Sequence, residues 1–321
     1  MGGRIIKMIR KMRAMVQEKI TNLVKLEVQK EMTQMLPVIP QLIDFYKSLP
    51  DQRQSFYDHT DKPLENYAYY HSLRDRLIKC GIKVENVEID IPDFELWLKK
   101  YPQIDTKYRS SGDTYIEKCL ECYLSYTYLD MSPNDVFIDV AAYKSPYADL
   151  LNDTDKIKSY RLDLSYPKGI HGNNIGADAG NTNLPGEFAN SLAVHCAYEF
   201  FMGDSDINFI REAARILKQK GNFIILPLYL EDKFFNVTSP YCSQTDIIFD
   251  SEALKVWRDD SYKIQFSRYY SPEVFFKRIY TIIPENLDGK VYFIQNLPDV
   301  MKYYSGQRIY CYFMFYCQKT V

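Results

Sequence analysis

FIDVAAYKSPY, residues 137–147, is the stretch on which the reading of this chain turns. It opens as a β-branched and aromatic strand, reaches an acid at Asp139 and then breaks into a loop heading for a helix. An open parallel α/β sheet presents ligand sites in this way, at loops beyond the carboxyl ends of its strands. Such a loop is usually rich in glycine. Here the corresponding positions hold Ala141, Tyr143 and Ser145.

The pattern repeats downstream. Strand-like runs follow at residues 159–164 (SYRLDL), 190–196 (NSLAVHC) and 221–230 (GNFIILPLYL). Between the last two lies DINFIREAARILKQKG, which predicts a helix. Ile207, Ile210, Ala214 and Leu217 share one face, Asp206 is expected to cap the start, and Gly221 to stop the end. Ser271 and Pro272 predict a further helix start, with serine as N-cap and proline at the first helical position. Two final runs, KVYFIQNL (290–297) and RIYCYFMFYCQK (308–319), are separated by too few residues for a helical crossover and are expected to pair antiparallel. Alternating strands and helices imply an α/β fold with a mostly parallel sheet and an antiparallel last strand.

The first 130 residues have another texture. Ile5, Ile9, Met12, Val16, Ile20, Leu23 and Leu26 recur at helical steps, and no Gly or Pro interrupts residues 5–36 before Pro37 and Pro40. The first 13 residues carry five basic side chains and no acid. This helix can pack on its own domain or a second copy, lie on an anionic membrane surface, or serve as a nucleic-acid arm. Helical patches at 40–49, 67–80, 94–101 and 114–129 make the next segment a helical region. The expected organisation is 1–36 basic helix, 37–130 helical region and 131–321 α/β domain.

A net charge of −2 gives no general case for nucleic-acid binding. Seven cysteines without a secretory signal favour a reduced, cytoplasmic setting, with the N-terminal helix able to touch the inner membrane face. Cys119 and Cys122 form a C-x-x-C without a second pair, so they read as packing thiols. The apolar run at 223–230 is far too short to span a bilayer.

Polar residues arrive one per strand end. Asp139 ends the first strand and Asp163 the second, near the spacing at which an acid takes ribose hydroxyls. Asp178, in IGADAGNTNLP, follows the third segment, where a carboxylate can meet an adenine amino group, and His195 closes the fourth. Each alone is equally readable as an N-cap or a solvated loop acid; their order carries the information. This ordered set resembles the class I S-adenosylmethionine-dependent methyltransferases over residues 135–321. FIDVAAYKSPY stands at the family's strand–acid–glycine loop, RLDL at its ribose acid, GADAGNTNLP at its adenine side, and EAARILKQKGNFIILPLYL at its helix, glycine turn and fifth strand. The resemblance implies a Rossmann-like sheet, S-adenosyl-L-methionine as cofactor, and cofactor contacts from Asp139, Ala141, Ser145, Asp163, Leu164, Asp178 and Ala179. The departures are the three missing glycines and Asn190, which replaces an acid often found before the fourth strand. Alanine at 141 is mild if its φ is negative, whereas tyrosine at 143 is strained if its φ is positive.

Methyl transfer needs positioning and, for a hydroxyl acceptor, removal of a proton. His195 as base, with Glu199 four residues on orienting it, is one expectation; His195 lining the cofactor with Glu199 in a structural role is the other. His195, Glu199, Asp204 and Asp206 fit no metal signature, so no metal is expected. His171 in a glycine-flanked loop, Tyr229 at the end of the fifth strand-like run, and Arg268 and Tyr270 in the insertion beyond it are candidate substrate contacts, with solvation or packing as the plain alternative. YIEKCLECYLSYTYL resembles the lead-in of methyltransferases from surface-polysaccharide pathways. That implies an O-methyltransferase acting on a sugar hydroxyl of a glycan or glycoconjugate. The alternatives are a small-metabolite methyltransferase or an inactive methyltransferase-like scaffold.

Overall fold

The computed structural model describes residues 62–238, 246–257 and 264–320. The expected helices over 5–36 and 40–49 lie outside them. An eight-stranded sheet organises the rest, in the order β4 (Asn174–Gly176), β3 (Lys158–His171), β2 (Val136–Val140), β5 (Ala189–His195), β6 (Leu217–Leu226), β11 (Phe313–Lys319), β10 (Leu287–Ile294) and β1 (Val84–Val87). β2 pairs in parallel with both β3 and β5, and β5 with β6. β11 is inserted antiparallel between β6 and β10, with Val291 opposite Phe315 and Ile225 opposite Phe315 on its other side. The Rossmann-like sheet with an antiparallel last strand, expected from the resemblance, is the sheet the chain forms. The order in which strands are added reverses between β2 and β5, where a doubly wound sheet opens its ligand crevice.

The helices are α1 (Tyr67–Lys79), α2 (Ile91–Lys100), α3 (Pro102–Tyr108), α4 (Tyr115–Leu129), α5 (Tyr147–Leu150), α6 (Ser205–Ile216), α7 (Pro272–Arg278) and α8 (Leu297–Tyr303). The helical region before the α/β segment also contains β1, which extends the main sheet by pairing in parallel with β10. VENV is too short and too polar to declare itself as a strand. α7 begins as expected, with the Ser271 hydroxyl accepting from Val274 N and Pro272 at its first position.

α6 departs from expectation at both ends. Asp204 occupies the N-cap position, while Asp206 lies fully buried inside the helix as an ion-pair partner. The helix ends at Ile216, and Leu217 is already extended and opposite Ala189 of β5. Pairing with β5 ends it five residues before the glycine. Gly221 serves a close approach instead, since a Cβ there would meet Asn190 O at 2.7 Å. Asn190 ties the strands laterally, its Oδ1 accepting from Val136 N at 2.9 Å and Lys218 Nζ at 2.8 Å.

β3 has two limbs. Arg161, Leu162 and Asp163 pair in parallel with β4, and Lys168 to His171 fold back antiparallel onto the same residues. The returning chain crosses Gly176, where a Cβ would lie 2.0 Å from Pro167 O. Phe223, Ile224, Ile225 and Leu226 of β6 are fully buried, each contributing roughly 1.5–3 kcal/mol by leaving water. β7 (Phe235–Thr238), β8 (Leu254–Trp257) and β9 (Ser267–Tyr269) form a small second sheet in the insertion after β6.

Candidate functional site

The loop after β2 keeps a glycine-type backbone without glycine. Ala141 has φ +54° and Lys144 φ +57°, whereas Tyr143 is not among the residues of positive φ. The strain expected at Tyr143 therefore falls on Ala141 and Lys144, at about 1–2 kcal/mol each for an L-residue. Tyr143 is 53% exposed and packs against Tyr166, with ring centroids 5.9 Å apart. It does not line the cleft beside it.

That cleft, about 200 Å³, opens at the carboxyl ends of β2 and β4 and of the first limb of β3. Ala141, Asp163, Leu164, Ala177, Asp178 and Ala179 line one side, and Phe200, Phe201 and Met202, just after β5, the other. Five of the seven expected cofactor residues thus share one cavity. Ser145 does not; its Oγ accepts from Tyr147 N and its N donates to Ala142 O, which shapes the turn into α5. Asp139 sits deeper, 1% exposed, outside the lining. Asp163 Oδ1 accepts from Ser165 N at 2.8 Å and Asp178 Oδ1 from Gly180 N at 2.7 Å. One oxygen of each carboxylate is held by the backbone while no described residue donates to the other. Two oriented acceptors between aliphatic and aromatic walls suit a nucleoside, whose sugar hydroxyls and amino group donate and whose ring wants an apolar slot.

His195 ends β5 as expected but is not free. Its Nδ1 lies 2.9 Å from Asp139 Oδ1, and its Nε2 lies 2.9 Å from Ser125 Oγ of α4. With both ring nitrogens taken, the expected base is spoken for. Ser125, His195 and Asp139 are the residue types of a nucleophilic triad, but Ser125 is fully buried and also bonds Cys122 O at 2.9 Å. No acyl substrate reaches it. Nor does Glu199 orient His195. Cys196 takes φ +46° and Tyr198–Phe200 form a 3₁₀ turn, so the helical i, i+4 relation is lost.

Glu199 stands beside a second polar group near the β5 terminus. Burial pushes its carboxyl up to about 8, with Glu121 raising it and Lys118 opposing. Its Oε2 is buried and accepts no hydrogen bond from the described residues, a state that calls for a donor brought from outside. Around it, Lys118 Nζ meets Glu121 Oε1 at 2.8 Å, Tyr310 OH at 3.2 Å and Cys196 Sγ at 2.6 Å, and Tyr229 OH lies 3.4 Å from Cys196 Sγ. Of the candidate substrate residues only Tyr229 joins this group. Burial lifts the Cys196 thiol well above its usual range, as Glu121 also does, against the pull of Lys118. Lys118, Glu121, Ser125 and Tyr310 escaped the sequence reading. The signal was present as polar residues at positions 118, 121 and 125, one face of a helix read simply as buried packing.

The other candidates lie elsewhere. His171 is exposed on the β3–β4 hairpin with Nε2 3.1 Å from Lys168 O. Arg268, 0% exposed, is no substrate contact: its guanidinium bonds both Asp250 oxygens, Phe201 O and Gly203 O, and pairs with Asp206 at 2.9 Å. Tyr270 OH donates to Asp206 Oδ2 in the same buried knot, which Arg278 completes. The insertion is clamped to α6 by these groups, which leaves them nothing for a ligand.

No protein-family model matches the sequence, and no curated protein matches it either. Solved structures overlap it in part. The match to the YcgJ protein of Bacillus subtilis has 19% identity, spans 35% of this chain and 53% of that protein, and has a TM-score of 0.30. The Burkholderia thailandensis 1,6-didemethyltoxoflavin-N1-methyltransferase, with 1,6-didemethyltoxoflavin and S-adenosylhomocysteine bound, matches at 8% identity over 73% of this chain and 93% of its own, TM-score 0.41. The geranyl diphosphate C-methyltransferase of Streptomyces coelicolor, in complex with Mg²⁺, geranyl diphosphate and S-adenosyl-L-homocysteine, matches at 9% over 64% and 79%, TM-score 0.37. Overlaps this partial leave the chemistry to the residues themselves. Among the described residues no cluster of three or more His, Cys, Asp or Glu is placed to hold a metal ion, and no helix is long and apolar enough to cross a membrane.

Proposed function

We propose that the chain binds S-adenosylmethionine in the cleft at the ends of β2, β4 and the first limb of β3 and methylates a hydroxyl group. The observation that carries this is the convergence of Ala141, Asp163, Leu164, Asp178 and Ala179 on one cavity, at the crevice where a doubly wound sheet takes its ligand. Asp163 and Asp178 each offer one carboxylate oxygen to the adenosine, and the apolar wall of Phe200, Phe201 and Met202 excludes water. When bound, the cofactor supplies an electrophilic methyl group.

On the acceptor side, Glu199 rather than His195 takes the proton. Its Oε2 has no partner among the described residues, and a base that titrates near the working pH is the effective kind. Lys118, Tyr229 and Tyr310 orient the acceptor, and the two tyrosine rings, 6.1 Å apart and nearly parallel, offer an aromatic surface. A sugar hydroxyl in glycan assembly suits this mix of aromatic surface and hydrogen-bonding groups. Docking of residues 1–36 on a membrane would bring a lipid-linked acceptor within reach; loss of liposome binding on deleting that segment is the expected result. Calorimetry with S-adenosylhomocysteine tests the central reading: a saturable heat is expected, and none at millimolar ligand would leave the scaffold alternative.

A further inference from the structure

Lys118 Nζ and Cys196 Sγ, 78 residues apart in sequence, lie 2.6 Å from each other. N–H···O bonds run about 2.7–3.2 Å, and sulfur is larger than oxygen, so an ordinary N–H···S contact is longer than this one. A direct N–S bond is much shorter. The spacing is that of two atoms bonded to one oxygen between them.

The surroundings fit such a link. Glu121 Oε1 stands 2.8 Å from Nζ and 3.2 Å from Sγ, one carboxylate oxygen placed where protons leave both groups. Tyr310 OH lies within 3.2 Å of Nζ and 3.8 Å of Sγ, and Tyr229 OH within 3.4 Å of Sγ. Cys196, held at φ +46° immediately after β5, is half-buried.

We propose that Lys118 and Cys196 are an oxidative modification site, joined by an N–O–S crosslink when dioxygen is the oxidant. Glu121 first takes the extra proton of the ammonium. The neutral amine, the thiol and one O₂ then give the bridge and one water. An N–H and the S–H bond break, N–O and O–S bonds form, and the second oxygen atom leaves as water with both hydrogens. Nitrogen and sulfur each give up two electrons, which together reduce the dioxygen. The link ties α4 to the end of β5 and removes the Lys118 ammonium from beside Glu199. It does not depend on the methyltransferase reading.

The test is peptide mapping by mass spectrometry of the full-length protein, one portion kept anaerobic with dithiothreitol and one exposed to air or dilute peroxide. The oxidised portion should contain the peptides bearing positions 118 and 196 joined, with one oxygen gained and two hydrogens lost. Tryptic cleavage after Lys118 and alkylation of Cys196 should disappear, and dithiothreitol should restore both. Lys118→Arg should abolish the joined species while Cys196 stays alkylatable; should that variant not fold, the wild-type map alone decides. Full alkylation of Cys196 after oxidation overturns the proposal. So does a sulfinic acid or a disulfide at Cys196 with Lys118 unmodified.

Discussion

The imidazole of His195 is locked to the carboxylate of Asp139, Nδ1 to Oδ1 at 2.9 Å, at the carboxyl ends of two adjacent parallel strands. Asp139 is 1% exposed and its other oxygen has no partner among the described residues. Removing the imidazole therefore leaves a buried carboxylate with no donor on either oxygen. His195→Ala should cost about 3–5 kcal/mol of stability, read as a shifted urea midpoint, yet change affinity for S-adenosylhomocysteine little. A variant as stable as the wild type would show that water replaces the imidazole.

Ala141 lines the cleft at φ +54°. Glycine adopts that conformation without the Cβ clash, at an entropic cost smaller than the strain relieved. Ala141→Gly should stabilise the protein by roughly 1 kcal/mol, and Ala141→Val should destabilise it. Thermal unfolding of the three proteins orders them. Destabilisation by glycine would mean that the loop is not strained.

Asp163→Asn and Asp178→Asn replace a charged acceptor in the cleft with a neutral one of the same shape. A hydrogen bond to a charged group is worth about 1.5–3 kcal/mol, so each change should weaken S-adenosylhomocysteine binding about tenfold or more. Asp153→Asn, on an element remote from the lining, serves as the control. Equal affinities for all three variants would remove the adenosine from this cleft.

Glu199 keeps its proton up to about 8 because burial penalises the carboxylate. Burial and the neighbouring Glu121 likewise raise Glu117. The unfolded chain loses these protons near the ordinary carboxyl value of 4.5. From there up to about 8 the folded state binds more protons than the unfolded one, so stability falls as pH rises, by up to about 1.4 kcal/mol per unit for each group. Glu199→Gln should flatten part of that slope in urea titrations at several pH values. Turnover should move the opposite way, rising toward about 8 as Glu199 ionises, and Glu199→Gln should abolish that limb. A wild-type turnover profile flat across this window would exclude Glu199 as the base.

The knot of Asp206 with Arg268, Tyr270 and Arg278 holds the insertion against α6. Asp206→Asn removes the charge both guanidiniums face and should cost about 3–5 kcal/mol. Proteolysis should then cut the insertion first, because the clamp on it is gone. Cleavage unchanged in rate and position would show that apolar packing holds the insertion alone.

The sheet was readable because its signals are local. Alternating strands and helices and Ser271-Pro272 before α7 each express backbone chemistry within about a dozen residues; the last two strands pair antiparallel as read, but they are shorter than their apolar runs and the connection between them holds α8. The acids at 163 and 178 follow from the order of strand ends together with the resemblance that order carries, and both line the cleft. The partners of ionisable groups were not readable, because they come from distant chain. His195 meets residues 56 and 70 positions away, and Asp206 meets Tyr270 64 positions away. Asp206 and Arg268 looked like a cap and a substrate contact; packing turned both inward. Periodicity along the chain orders the strands and sets which residues reach their ends. Whether a carboxylate or imidazole at such an end is free to act depends on what other elements bring against it, and that is fixed only when the layers close and water is excluded.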